Sequence, residues 1–151
     1  MDAPRPKAKG PWVLVKVMAA PLCTEWKTFV SGGASEFLGH EAAGEVVEVD
    51  EPGPVQPGDR VVVMPSNPCG SCPLCVSGDY IHCEHTHNFA AVHGSKEGSA
   101  TVAEYLLKPG WLLPRIPDGV SYEHASMACC GLGPSYGAFH VLNAKEGETA
   151  L

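Results

Sequence analysis

Apolar residues fall in short clusters along this chain, separated by segments dense in glycine and proline. Residues 12–18 (WVLVKVM) form a β-branched, apolar run broken only by Lys16, the pattern of a strand. Residues 45–49 (EVVEV) and 60–64 (RVVVM) predict two further strands. The connection between them carries Pro52, Gly53, Pro54, Pro57 and Gly58 and cannot be helical. Residues 101–107 (TVAEYLL) predict a fourth strand, and 111–113 a short fifth. Helical signals come late. Ser121 is placed to cap a helix running to about residue 128, with Glu123 in its first turn, and 135–143 predicts another. Residues 146–151 read as a turn that leads into a new strand at Ala150 and Leu151.

Composition narrows the class. With 17 glycines and 14 prolines among 151 residues, turns and short strands are expected over long helices. Ten Lys and Arg against 17 Asp and Glu leave a net charge of −7, which argues against a nucleic-acid partner. At 44% hydrophobic and 18% charged, the chain is not a disordered tail. No apolar run approaches the roughly 20 residues of a membrane helix, and no apolar core follows the basic start as in a signal peptide. The expectation is a soluble, cytoplasmic protein with no membrane partner, where clustered cysteines bind metal more readily than they pair.

Seven cysteines carry the chemistry. Cys69, Cys72, Cys75 and Cys83 place four thiols within a short stretch, with Gly70, Pro73 and Gly78 letting the chain fold around one centre. A closed set of four thiolates is the arrangement of structural zinc, and metal binding would hold a lobe almost without an apolar core. An iron–sulfur centre competes, but its runs favour proline after the last cysteine, and Cys83 precedes Glu84. His82, His85, His87 and His93 lie close by and read as surface histidines.

Cys23, Cys129 and Cys130 remain. Gly39-His40-Glu41 by itself fits an ordinary, partly buried histidine. Taken with Cys23 and one of the paired cysteines, His40 completes two thiolates and an imidazole, the three protein ligands of a catalytic zinc.

The ordered set of Cys23, Gly39-His40-Glu41-Ala42-Ala43-Gly44, Val55-Gln56-Pro57-Gly58-Asp59-Arg60-Val61, the four-cysteine lobe, and Cys130-Gly131 followed by Tyr136-Gly137 resembles the zinc-dependent alcohol dehydrogenases of the medium-chain dehydrogenase/reductase family. The resemblance covers almost the whole chain. It implies a mainly β fold, a GroES-like irregular β-barrel with a zinc-bound four-cysteine lobe and a few short helices near the C-terminus. It implies two zinc ions per chain, one structural on Cys69, Cys72, Cys75 and Cys83, and one catalytic on Cys23, His40 and Cys130. Cys129 is then a spare thiol packed as a small apolar residue, and Glu41 stands beside the ligand set.

After Cys23 the sequence departs from the family. A one-residue deletion brings Thr24 to the proton-relay hydroxyl, Glu25 to the neighbouring carboxylate and Lys27 to the relay histidine. Without it, Glu25 and Thr28 take the hydroxyl and histidine places. The first alignment preserves hydroxyl and carboxylate chemistry.

The implied activity is hydride transfer between an alcohol, aldehyde or ketone and NAD or NADP, in a complete enzyme expected to be a homo-oligomer. The only Gly-x-Gly here, Gly131-Leu132-Gly133, belongs to the Cys130 segment, not to a dinucleotide fingerprint. Residues 1–149 are therefore expected to be a catalytic domain with an abbreviated start, and 150–151 the beginning of an absent Rossmann domain. The rival reading is a zinc-stabilised binding or scaffold module with no catalysis of its own. A quinone-reductase-like relative fits poorly, because such relatives generally lack both metal sites.

Overall fold

The computed structural model describes residues 4–143 and 145–149. Four antiparallel strands make one sheet: β1 (Trp12–Ala19), β2 (Ala42–Glu48), β3 (Arg60–Val63) and β4 (Tyr105–Pro109), in the order β3-β2-β1-β4. Five helices are dispersed along the chain: α1 (Glu25–Val30), α2 (Pro73–Val76), α3 (Phe89–His93), α4 (Tyr122–Ser126) and α5 (Gly133–Leu142). Short 3-10 turns occupy Tyr80–His82 and Gly110–Leu112.

The central strand explains the rest. Trp12, Val13, Leu14 and Val15 are all buried, because β1 has β2 and β4 on its edges and apolar clusters on both faces. One face joins Val13 and Val15 to Val46, Val55, Val61 and Leu106. The other sets Trp12 and Leu14 against Phe89 and Leu107. Each such side chain contributes about 1.5–3 kcal/mol on burial. Lys16, the break in the apolar run, is where the strand reaches the surface.

The expected mainly β barrel is not formed. The sheet is open and the fold is mixed α/β, because β3 and β4 never pair and helices begin at residue 25. The segment expected as a fifth strand at 111–113 is largely the 3-10 turn Gly110–Leu112. Beyond it, irregular chain covers the free edge of β3: Val62 N–H donates to the Pro114 carbonyl (2.9 Å) and Ile116 N–H to the Arg60 carbonyl (2.8 Å). Pro114 and Pro117 keep this stretch from propagating as a strand.

The helices missed in the sequence have local causes. Pro73 opens α2 at a position where its missing N–H costs nothing, and Asn88 caps α3 by accepting from Ala91 N–H. α1 buries no residue, so no periodic apolar face announced it. The two late helices do form, with Ser121 accepting from His124 N–H at the start of α4. β4 begins at Tyr105, four residues after the expected start. A turn at Glu146 and Gly147 is present, whereas Ala150 and Leu151 lie outside the described residues.

Two features of this frame position the candidate site. α4 packs on β2 through Ala43, Ile116 and Ala125, and Arg60 holds it there with its guanidinium 4.6 Å from the Tyr122 ring centroid. Gly44 lets β2 lie close against β1: a Cβ there would stand 2.3 Å from the Lys16 carbonyl oxygen and 2.7 Å from Val15 Cγ1. Gly44→Ala is therefore expected to destabilise the fold by about 1–3 kcal/mol, read as a lower urea midpoint. An unchanged midpoint would show that the strands tolerate separation there.

Candidate metal centres

The lobe between β3 and α3 gathers Cys69, Cys72, Cys75 and Cys83. Cys69 Sγ lies 3.9 Å from Cys75 Sγ, and Cys72 Sγ lies 3.9 Å from Cys83 Sγ. Sulfurs at about 2.3 Å from one tetrahedral ion stand about 3.8 Å apart, so the donor set fits zinc. Cys72 and Cys75 are buried. Backbone N–H groups point at the sulfurs: Cys69 N–H at Cys83 (3.3 Å), Cys72 N–H at Cys69 (3.4 Å) and His85 N–H at Cys83 (3.4 Å). Backbone donors of Ser71 and Cys72 draw the Cys69 thiol down to about 5. Burial, and then Cys72, push Cys75 up to about 12. Four neighbouring thiols cannot all ionise without a cation among them.

None of the nearby histidines joins this set. His82, His85 and His87 are exposed, but His93 is not the surface histidine expected from the sequence. Its ring packs edge-on to Trp12 at 4.6 Å and beside Phe89 at 4.4 Å.

A second cluster unites residues far apart in sequence. Cys23 sits in the turn before α1, His40 and Glu41 directly precede β2, and Cys130 lies in the turn between α4 and α5. One donor atom from each of the four falls within 4.8 Å of the others. Gly39 makes the entry to β2 possible, at φ +92° and with Thr101 Oγ1 only 2.4 Å from where a Cβ would sit. Cys130 Sγ faces His40 Nε2 at 3.4 Å, close to the roughly 3.6 Å expected when both bind one tetrahedral zinc.

The supporting contacts orient these donors. Glu25 Oε1 lies 2.5 Å from His40 Nδ1, leaving Nε2 to face Cys130, while Glu25 Oε2 accepts from Cys23 N–H at 2.9 Å. Burial raises the Glu25 carboxyl, but backbone donors of Glu25 and Cys23, with the His40 ring, outweigh it and hold it below its usual range. Glu41 is buried, and its Oε1 accepts from Cys130 N–H at 2.6 Å. Burial first, then Glu41 and Cys23, push the Cys130 thiol up to about 11. The lobe buries two of its four thiols, whereas Cys23, His40 and Cys130 are all only partly buried, with the His40 side chain 34% exposed.

The paired cysteines diverge. Cys130 turns to His40, whereas Cys129 Sγ lies 3.6 Å from Met64 Sδ at the end of β3. Thr24 stands at the N-terminus of α1 with its side chain exposed, and its carbonyl accepts from Lys27 N–H. Lys27 is exposed as well. Lys108, which the sequence reading passed over, is buried beside this region and near Cys129. A lone lysine in an apolar strand, LLKP, was its only sequence signal. Two surface clefts of about 500 and 400 Å³ border Arg5, His93 and Tyr105, and neither is lined by a residue of the two clusters.

Comparison with known proteins places this geometry among relatives. Residues 9–118 match the alcohol dehydrogenase GroES-like domain. The chain is 33% identical over 141 residues to the zinc-type alcohol dehydrogenase-like protein YdjL of Escherichia coli, covering 84% of this chain and 39% of that protein. It is 32% identical over 138 residues to L-threonine 3-dehydrogenase of Pyrococcus horikoshii, covering 84% and 37%. Acetophenone reductase of Geotrichum candidum, solved with NAD, superposes with a TM-score of 0.73 at 27% identity, covering 96% of this chain and 44% of that one. The chain thus spans well under half the length of these relatives.

Elemental analysis of the purified protein tests the assignment. The wild type is expected to carry two zinc ions, Cys130→Ala to carry one, and Cys129→Ala to keep both. Loss of zinc from Cys129→Ala, with none from Cys130→Ala, would reverse the assignment. Glu25→Gln, which weakens the hold on His40 Nδ1, is expected to lower zinc affinity at this cluster about 10-fold or more in chelator competition.

Proposed function

Because the chain belongs to the alcohol dehydrogenase GroES-like domain family, we propose that it is the zinc-binding catalytic portion of an oxidoreductase that moves a hydride between an alcohol or carbonyl substrate and NAD(P). The observation that carries this reading is the pairing of a complete four-cysteine set with a second cluster, of Cys23, His40 and Cys130, that reaches solvent at His40. Structural zinc needs all four positions filled by protein, while catalytic zinc leaves one for substrate. A scaffold module has no use for the second arrangement.

In this reading Cys23, His40 and Cys130 hold the catalytic ion. Zinc supplies Lewis acidity that polarises the substrate oxygen and eases loss or gain of its proton. Glu25 keeps the imidazole turned so that Nε2 is the ligating nitrogen. Glu41 fixes the Cys130 backbone and so the direction of its thiolate. Thr24, next to Cys23 and exposed, is the group assigned to pass the substrate proton to solvent.

The nicotinamide partner must come from beyond these 151 residues. Gly131 precedes α5 and Gly133 opens it, but both follow α4, without the strand that a dinucleotide-binding turn requires. The reading therefore assigns residues 1–149 to the catalytic unit and the cofactor to a dinucleotide-binding unit, in a homo-oligomeric enzyme. Tyr136, Phe139, Val141 and Leu142 on α5, all exposed, offer apolar surface for such a unit to cover. Among the described residues no helix is long and apolar enough to cross a membrane.

The test is hydride transfer itself. Full-length protein with zinc is expected to reduce NAD+ or NADP+ with members of an alcohol and polyol panel, and the 151-residue chain alone is expected to show little turnover. Zinc-loaded full-length protein that transfers no hydride to either nucleotide across the panel would sink the proposal. Thr24→Val is expected to lower kcat about 100-fold, with Thr24→Ser restoring most of it.

A further inference from the structure

Lys108 is 7% exposed, yet no carboxylate pairs with it among the described residues. A buried ammonium is costly unless its protons are well received. Its Nζ donates to the Ser66 carbonyl and, at 2.9 Å, to Asn67 Oδ1. Burial pushes its pKa down to about 8, with the Cys129 thiol acting in the opposite direction. Ser66 adopts φ 60°, a left-handed conformation that costs a non-glycine residue about 1–3 kcal/mol. The local backbone is thus held in an unfavourable form while presenting this carbonyl to the lysine.

Ser66 and Asn67 are the neck of the four-cysteine lobe. Asn67 lies two residues before Cys69, and its carbonyl accepts from His87 N–H at 2.8 Å, four residues past Cys83. One residue therefore clamps both the entering and the leaving chain. The same neck begins at Met64, whose sulfur meets Cys129, the residue before Cys130. Lys108 sits on β4, paired with Val13 in the most buried part of the sheet.

We propose that Lys108 is a positioning residue that locks the lobe's neck to the sheet and, through Met64 and Cys129, sets the turn carrying Cys130, so that the two metal clusters are mechanically coupled. The coupling rests on the reading that both clusters hold zinc. It distinguishes Lys108 from a residue that merely fills the core. Removing the ammonium relieves its desolvation but leaves the Ser66 carbonyl and Asn67 Oδ1 without their donor, so the change is expected to fall on the neck, which loses its only ammonium donor among the described residues.

The experiment uses the zinc-loaded full chain carrying Lys108→Met, with Asn67→Ala as a second variant that removes one acceptor and leaves the core intact. Zinc transfer to a chromogenic chelator reads the lobe, and cobalt absorption at the Cys23, His40 and Cys130 cluster reads the second centre. Lys108→Met is expected to speed release of lobe zinc about 10-fold, by analogy with other residues that support ligands, and to shift the cobalt bands. Asn67→Ala is expected to change release in the same direction by less. Wild-type release rates and an unshifted cobalt spectrum in both variants would overturn the coupling. A wild-type chain binding fewer than two zinc ions would overturn the two-centre reading, and the coupling with it.

Discussion

The close pairing of β2 with the doubly buried β1 is the constraint on which both the sheet and the second metal cluster depend. Gly44 allows the β2 backbone to approach the Lys16 carbonyl, and the Val-rich cluster on one face and Trp12, Leu14, Phe89 and Leu107 on the other hold that approach in place. His40 and Glu41 are mounted immediately before β2, so their position is inherited from this pairing. α4 rests on β2 through Ala43 and Ala125, and the turn after it brings Cys130 back to Glu41. A contact spanning 89 positions in sequence thus closes over a single strand.

The two clusters solve different electrostatic problems. In the lobe, four thiols share one small volume, and backbone N–H groups stabilise negative charge on Cys69 and Cys83 while burial opposes it on Cys75. A divalent cation resolves that conflict and replaces the apolar core that the lobe lacks. In the second cluster the ligands are backed by carboxylates: Glu25 on the imidazole and Glu41 on the Cys130 backbone. This backing fixes direction while leaving the imidazole partly open to solvent.

Sequence patterns were readable where chemistry or burial repeats at short range. The Cys69, Cys72, Cys75 and Cys83 spacing encodes its own geometry, since neighbouring thiols need only a few turns to converge. β1, β2 and β3 stood out because β-branched residues cluster in them, and Ser121 marked α4 because its hydroxyl accepts from the N–H three residues on. α1 did not stand out, since it buries none of its six residues and leaves no apolar period. The expected barrel failed for a related reason. Pattern alone shows strands but not their edges, and the irregular chain from Leu112 to Ile116 lies along β3 without becoming a strand.

By itself, the sequence determined the ligand chemistry: four thiols at close spacing, a Gly-His-Glu element, and cysteines before and after it. These follow from residue identity, which no fold can change. The family resemblance already favoured Cys130 over Cys129, and the structure turns Cys130 to His40; only tertiary structure decided that Glu25 reaches the His40 Nδ1. It also decided that the sheet stays open and that a buried lysine ties the lobe's neck to the core. Each depends on where a side chain points after distant segments pack. That direction is set by burial on β1 and β2, whose partners lie tens of residues away.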